Sequence, residues 1–423
     1  MNILIIADNY PPETNAAATR VSERAAYWAA WGHKVTVITS CPNFPQGKVY
    51  EGYRNSWYSE EERDGIRIIR VKTFIAANRG TLLRMLDFLS FMFTALAAGF
   101  VLPRPDVVTA TSPQFFAAVA GWLLGIRHWR PFVFELGDIW PASIVAVGAM
   151  HPSLGLRLME QLELFLYRRS ASVAALTTAF KANLVGRGIP ADKIAVVRNG
   201  VDLSRYRPTP RDEGLAESWG IKGKFVVGYV GTHGMAHGLA NVLDTAELLR
   251  DRDDIRFLLV GDGAERPALL EDKQRRQLDN VVMMPMQPKA QMCRIWSLCD
   301  IALVHLRDSP VFAEVIPSKI FEAMGMGLPL LTVIPPGEAA DIVVGHGAGI
   351  AVPPENPAAF ADAVRKLADN PELCCTLAQA SLAAGPFHTR RQQAEEMLQV
   401  LEIAASGHGA LAGTDVPRRK VQA

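Results

Sequence analysis

The sequence predicts an α/β protein built from two parallel-sheet domains in tandem, and three observations carry that reading. Short apolar runs of strand length recur along the chain, each followed by a segment at helical spacing. The alternation restarts after a break rich in proline, glycine and charge at residues 206–224. A chain of 423 residues with 49% apolar composition also has enough material for two or three cores.

In order, NILIIA reads as a buried strand, NAAATRVSERAAYWAAW as a helix stopping at Gly32, and KVTVIT as the next strand, which together make a βαβ unit. DVVTAT and PFVFEL continue the sheet, with apolar helices around 115–125 and 153–170 and a strand ALTT near residue 175. After the break come FVVGYVG, a helix near 238–250, RFLLVGDG, VVMM, DIALVH, a helix around Pro317, PLLTV and GIAV. The predicted domains are 1–205 and 206–385, with a helix at 386–404 returning to the first and a Gly-rich polar tail at 405–423 read as disordered. Open parallel sheets bind ligands at the carboxyl ends of their strands, so the expected site is a cleft between the domains.

The net charge of +1 divides unevenly, with 22 Lys/Arg against 16 Asp/Glu in residues 1–205 and 22 against 27 in the remainder. A basic first half suits an acidic partner such as a membrane surface, or is only surface decoration; no nucleic-acid partner is expected. Five cysteines without a CxxC pair form no disulfide framework, and MNILIIAD opens on a strand rather than an export signal, so a cytoplasmic setting is expected. The longest uncharged apolar run, residues 88–102, falls short of the ~20 residues that span a bilayer. It reads as a buried helix, or as an interfacial one with Arg79 and Arg84 before it.

FAEVIPSKIFEAMGMGLPLL, residues 312–331, sets Glu314 and Glu322 around a proline. On one unbroken helix, eight residues would part them by ~12 Å, too far to grip one small group. Proline is accepted in a first turn and breaks an interior one, so the helix is predicted to start at Ile316 or Pro317. Glu314 then lies in the preceding loop and Glu322 within the helix, while the N–H groups around Ser318 and Lys319 offer an anion seat.

No GxGxxG follows the first strand, which argues against a dehydrogenase. GTHGMAHG (Gly231, Thr232, His237) and GDG (Gly261, Gly263) each follow a strand, and alone each is a weak phosphate-turn signal. In sequence, NGVD, the Gly-rich turn, LVGDG and Glu-x7-Glu before AMGMGLPLL resemble the family 4 retaining glycosyltransferases over residues 1–400. PPETNAAATR, SCPNFPQGKVYEGY, ELGDIWPAS, LFLYRRSA and IPSKIFEAM further resemble the subgroup near WbuB, which builds O-antigen and capsule repeat units on a lipid carrier.

The resemblance implies a GT-B fold, two Rossmann-like domains binding a nucleotide sugar between them without a metal or other cofactor. It implies that Glu322 holds the ribose hydroxyls and that Glu314 contacts the donor sugar. Ser318, Lys319, Gly231, Thr232, His237, Gly261 and Gly263 fall on the donor side, and Asn15, Ala16 and Arg20 on the acceptor or phosphate side. Asp138, after PFVFEL, is either a base or a helix cap. Many family members clamp the diphosphate with a Lys and an Arg where this chain has His237 and Thr232. His237 is therefore read either as part of the phosphate grip or as a cap of its own helix.

The implied reaction is front-face transfer, in which the leaving phosphate oxygen helps deprotonate the acceptor. The implied partners are a nucleotide sugar, first of all a UDP-sugar, and a polyprenyl-diphosphate-linked acceptor reached by peripheral contact with the inner membrane face. A nucleotide-sugar epimerase and a non-catalytic nucleotide-sugar-binding partner of another transferase are the competing readings. The first would need no acceptor. Intact Glu314 and Glu322 count against the second, and the missing clamp residues count for it.

Overall fold

Runs of branched apolar residues buried on both faces become the central strands of two parallel sheets in the computed structural model, which describes residues 1–44, 46–75, 81–112, 114–140 and 153–407. The chain divides into a first unit, Met1–Arg198 with Arg390–Ala423, and a second unit, Asn199–Thr389. The divisions thus fall at 198/199 and 389/390, against 205/206 and 385/386 read from composition.

In the first unit β1 (Asn2–Ile6), β2 (Lys34–Ser40), β3 (Tyr58–Arg63), β4 (Ile66–Val71), β5 (Val107–Thr111), β6 (Phe132–Leu136), β7 (Ser172–Ala175) and β8 (Ile194–Val196) lie in the order β3-β4-β2-β1-β5-β6-β7-β8. All neighbours are parallel except the β3–β4 hairpin. The last strand before the helix Thr178–Gly186 is SVAA, not ALTT, because Thr177 caps that helix by accepting a hydrogen bond from the Phe180 N–H.

The helix Arg390–Ser406 packs on the helix Ala16–Ala30, burying Ala394, Met397, Val400 and Leu401 in one core with Trp28, Val21 and Ile5. The Trp28 indole N–H donates to the Ala394 carbonyl at 2.9 Å, and Arg390 pairs with Glu23. The predicted tail at 405–423 falls outside the described residues from 408 onward.

The helix Thr81–Phe100 starts seven residues before the apolar run from which it was inferred. Its segment Leu83–Phe100 is long and apolar enough, by length and composition, to cross a membrane, which corrects the sequence reading: that reading counted only the uncharged run and stopped at Asp87. One side, with Phe91 and Ala95, is buried; Leu86, Phe93 and Phe100, at seven-residue spacing, are exposed. Arg79 lies outside the described residues.

In the second unit β9 (Phe225–Val230), β10 (Ile255–Val260), β11 (Val281–Met284), β12 (Ile301–His305), β13 (Leu330–Val333) and β14 (Gly349–Val352) run parallel in the order β11-β10-β9-β12-β13-β14. The strand order reverses between β9 and β12, and in the first unit between β1 and β5. At such switch points the adjoining connections leave on opposite faces and open a crevice at the carboxyl ends.

Candidate functional site

The turn that follows β9 stands at the switch point of the second unit, and the turn after β10 lies against it. After Val230 the chain turns at Gly231, and the Gly231 N–H donates to Val260. The His233 N–H donates to Asp262 O, and the Glu265 N–H to His233 O. The two turns are therefore laced backbone to backbone. A Cβ on Gly261 would stand 1.8 Å from Gly231 O, and one on Gly263 would stand 2.4 Å from His233 O. These glycines permit the two turns to touch, a packing role that differs from the phosphate contact read from sequence.

His237 closes a short 3-10 turn, Met235–His237, ended by Gly238 at φ 55°. Its side chain caps nothing: the helix Ala240–Glu247 has Leu239 at its N-cap and no side-chain cap bond. His305, last residue of β12, donates Nδ1–H to the His237 carbonyl at 2.7 Å, so its Nε2 accepts from Asn241 Nδ2 at 2.8 Å. His305 is a satisfied neutral core histidine, held down at about 4 by burial.

Beneath the Gly231 turn stands Tyr229, whose hydroxyl donates to the Thr232 carbonyl at 2.7 Å. Around its ring gather Lys319, with Nζ 3.5 Å from the ring centroid, and the rings of His233 and His237, centred 5.9 and 6.0 Å away. Lys319 Nζ, both ring nitrogens of His233 and Nδ1 of His237 are buried without a hydrogen-bond partner. Burial pushes Lys319 down to about 7 against the pull of Glu322. It pushes His233 to about 4, with Arg266 and Lys319 adding to it, and His237 to about 3, with Lys319 next. The locus thus collects buried nitrogens that can become cationic, with Glu322 acting on Lys319 and Asp262 on His233 as the carboxylates nearby. His233 was missed at the level of sequence, where GTHGMAHG was read for its glycines, Thr232 and His237.

The two glutamates follow on the next element. Glu314 is the C-cap of a short helix, Pro310–Ala313, and the main helix is Lys319–Met326 with Ser318 as N-cap. It starts two or three residues later than predicted, because Pro317 contributes only its carbonyl, which accepts the Ile320 N–H. Glu322 therefore lies in the first turn, on the same helix as Lys319, where Trp296 Nε1–H reaches its Oε2 at 3.4 Å. Glu314 and Glu322 are both half-buried.

In the first unit Asn15 is the N-cap of Ala16–Ala30, accepting the Ala18 N–H at 2.8 Å, and Ala16 is exposed beside it. Arg20, expected to face a ligand, is buried instead. Its Nε donates to Glu135 at 2.8 Å and its Nη2 to Thr111 at 2.9 Å, while Arg24 forks onto the same carboxylate at 2.9 and 2.6 Å. Asp138 is half-buried, with its backbone N–H and carbonyl both on Ser112 Oγ; the helix it was read as capping lies outside the described residues.

Asp8, just past β1, escaped the sequence reading. Burial, then Asp87 and Glu13, raise it well above the carboxylate range, and Asp87 is pushed up to about 6, chiefly by burial. Glu13 is saturated by the N–H groups of Tyr10, Asn43 and Phe44 and by Asn9, and so ties the loops after β1 and β2 together. Among the described residues no three His, Cys, Asp or Glu side chains are grouped to hold a metal ion.

Two domain families match the chain: a glycosyl transferase 4-like domain at residues 15–200 and a glycosyl transferases group 1 domain at 224–370. The chain is 25% identical over 340 residues to WcaI of Escherichia coli, a glycosyl transferase assigned to colanic acid biosynthesis, covering 77% of this chain and 82% of that one. It is 25% identical over 355 residues to a GDP-mannose-dependent alpha-mannosyltransferase of Mycobacterium tuberculosis, covering 84% of each. Anabaena HepE, whose crystal structure holds UDP, superposes with a TM-score of 0.71 at 19% identity, covering 95% of this chain and all of HepE.

Proposed function

This chain belongs to the family 4 glycosyltransferases of GT-B fold, and on that premise we propose that it is a retaining transferase moving a hexose or N-acetylamino sugar from a nucleotide sugar, a UDP-sugar in the first instance, onto a polyprenyl-diphosphate-linked glycan in surface-polysaccharide synthesis. The observation that carries the donor half is the nitrogen cluster at the β9–β12 switch point, with Glu322 on the helix that supplies Lys319. In this reading the cluster takes the diphosphate, Glu322 accepts the ribose hydroxyls, Glu314 faces the donor sugar and Asp138 serves the acceptor side. No metal takes part. The leaving phosphate oxygen helps deprotonate the acceptor, and the protein positions the reactants and stabilises the developing charge.

A thermal-shift panel of UDP-, GDP- and ADP-sugars tests the proposal, since a true donor stabilises the fold it binds. Glu322→Ala is expected to lose about 1–3 kcal/mol of that donor's affinity. Calorimetry giving wild-type affinity would remove Glu322 from the ribose.

Support for a lipid-borne acceptor comes from the apolar face of the first unit. Phe93 and Phe100 are exposed on Thr81–Phe100, and Ile126 and Trp129 at the end of Phe115–His128, the helix it packs against. Arg127 lies over the Phe100 ring at 4.2 Å, and Arg104 donates to the His128 and Trp129 carbonyls. Aromatic tips ringed by arginines fit an anionic bilayer surface on the inner face of the membrane. The protein is expected to sediment with anionic vesicles at low salt and to leave them largely at high salt. Phe93→Ser with Trp129→Ser should abolish binding even at low salt; vesicle binding unchanged in that variant would mean the face is not the contact.

A further inference from the structure

Lys319 presents an unresolved balance. Its ammonium nitrogen is walled off from solvent, lacks any hydrogen-bond partner, and rests on the face of the Tyr229 ring beneath the Gly231 turn, 3.0 Å from where a Cβ on that glycine would stand. A charge in such a place is costly unless something offsets it, and a single aromatic face offsets only part of that cost. The groups facing it, Glu322 apart, do not help. From β9 comes Tyr229, from the turn His233 and His237, from β12 His305, and from its own helix Glu322; Asp262, Glu265 and Arg266 stand behind His233 and Tyr229. Of these, Glu322 alone acts on Lys319 to favour its charge.

We propose that Lys319 is a stored cation: it rests on Tyr229 in its uncharged form and takes up one proton from the solvent as the diphosphate of a nucleotide enters beside the Gly231 turn. The inference rests on the reading of the second unit as the donor unit. It assigns the electrostatic work of the missing Lys and Arg clamp to a residue that carries no standing charge while the site is empty. The empty site therefore avoids the cost of a buried ion, and the charge is made only when its counter-charge is present. The depressed proton affinity of Lys319, about 7, supports the uncharged resting form above neutral pH. His233 and His237, held at about 4 and 3, charge only under acid conditions.

The test is calorimetric titration of the full chain with UDP and with GDP at pH 8, in two buffers of different ionisation enthalpy. The terminal phosphate is already fully ionised there. Wild type is expected to take up about one proton per nucleotide bound, with affinity weakening up to tenfold per pH unit above about 7. His237→Gln should keep that uptake, and Lys319→Met should reduce it to near zero. Uptake absent in wild type, or intact in Lys319→Met, overturns the proposal while leaving the donor site standing. Failure of both nucleotides to bind wild type overturns both.

A ligand-free measurement guards the test. A lowered folded-state pKa in a base means that the unfolded chain binds more protons between about 7 and the ordinary lysine value near 10.4. Wild-type stability should therefore rise with pH across that window relative to Lys319→Met, and parallel pH profiles for the two proteins would count against an uncharged Lys319.

Discussion

Glu135→Ala is expected to destabilise the first unit by about 3–5 kcal/mol, because it strands two buried arginines. Glu135 is the penultimate residue of β6, and its carboxylate is the shared acceptor for Arg20 and Arg24, all three nearly inaccessible to solvent. Arg24 also lies over the Trp28 ring at 4.9 Å, so the network joins the Ala16–Ala30 helix to the sheet and, through Trp28, to the closing helix Arg390–Ser406. Burial alone would raise Glu135, but Arg24 and then Arg20 more than offset it and hold the carboxyl at about 2. Since the folded value lies below the unfolded one near 4.3, this stabilisation is fully present above about pH 5 and is lost progressively as pH falls through about 2.

Glu60 is the control. It pairs with Arg67 at 2.6 Å and is likewise held at about 2, by the Arg67 and Tyr58 hydrogen bonds, yet the pair is exposed on the edge hairpin. Glu60→Ala should cost no more than about 1 kcal/mol. Calorimetric melting separates the two variants, and a Glu135→Ala transition coinciding with wild type would show that the network contributes little.

Those networks mark the limit of what the sequence showed. The central strands were legible because parallel strands buried on both faces are mostly apolar, as VVTAT and FVFEL are apart from Thr109, Thr111 and Glu135. The β3–β4 hairpin was not read, since SEEER is charged along its length at the sheet edge. Its signal was nonetheless present: Asp64-Gly65, at φ 52° and 72°, is the two-residue turn that such hairpins prefer. The helix before β13 was placed too early because proline was given the first helical position, where in fact it precedes the N-cap.

Among candidate site residues, those fixed by local spacing, Lys319 and Glu322 on one helix and His237 at its turn, could be found from the chain alone. Arg20 was misassigned because its partner lies 115 residues away, a separation that no motif encodes. Asp8 and Asp87 interact over 79 positions for the same reason and were not noticed.

Gly261→Ala is expected to abolish nucleotide binding while leaving the first unit intact. The methyl group would fall 1.8 Å from the Gly231 carbonyl oxygen, 2.9 Å from its carbon and 3.1 Å from His233 Nε2, and two of these are backbone atoms that cannot swing aside. Gly261 also sits at φ 156°, where side chains are rarely accommodated. Relief requires the GDG turn and the Gly231–Gly238 turn to separate, which breaks the His233 N–H to Asp262 bond and moves the cover away from Lys319 and Tyr229. Overpacking of this kind costs about 1–3 kcal/mol, borne by the second unit alone, so its melting transition should fall while that of the first unit holds.

Asp262→Ala is the matched control, because that residue reaches His233 through its backbone carbonyl and its side chain only bonds the Gly263 N–H. It should retain most nucleotide affinity. Wild-type affinity in Gly261→Ala would mean that the two turns can part without consequence, and that the nitrogen cluster they cover is not where the diphosphate goes.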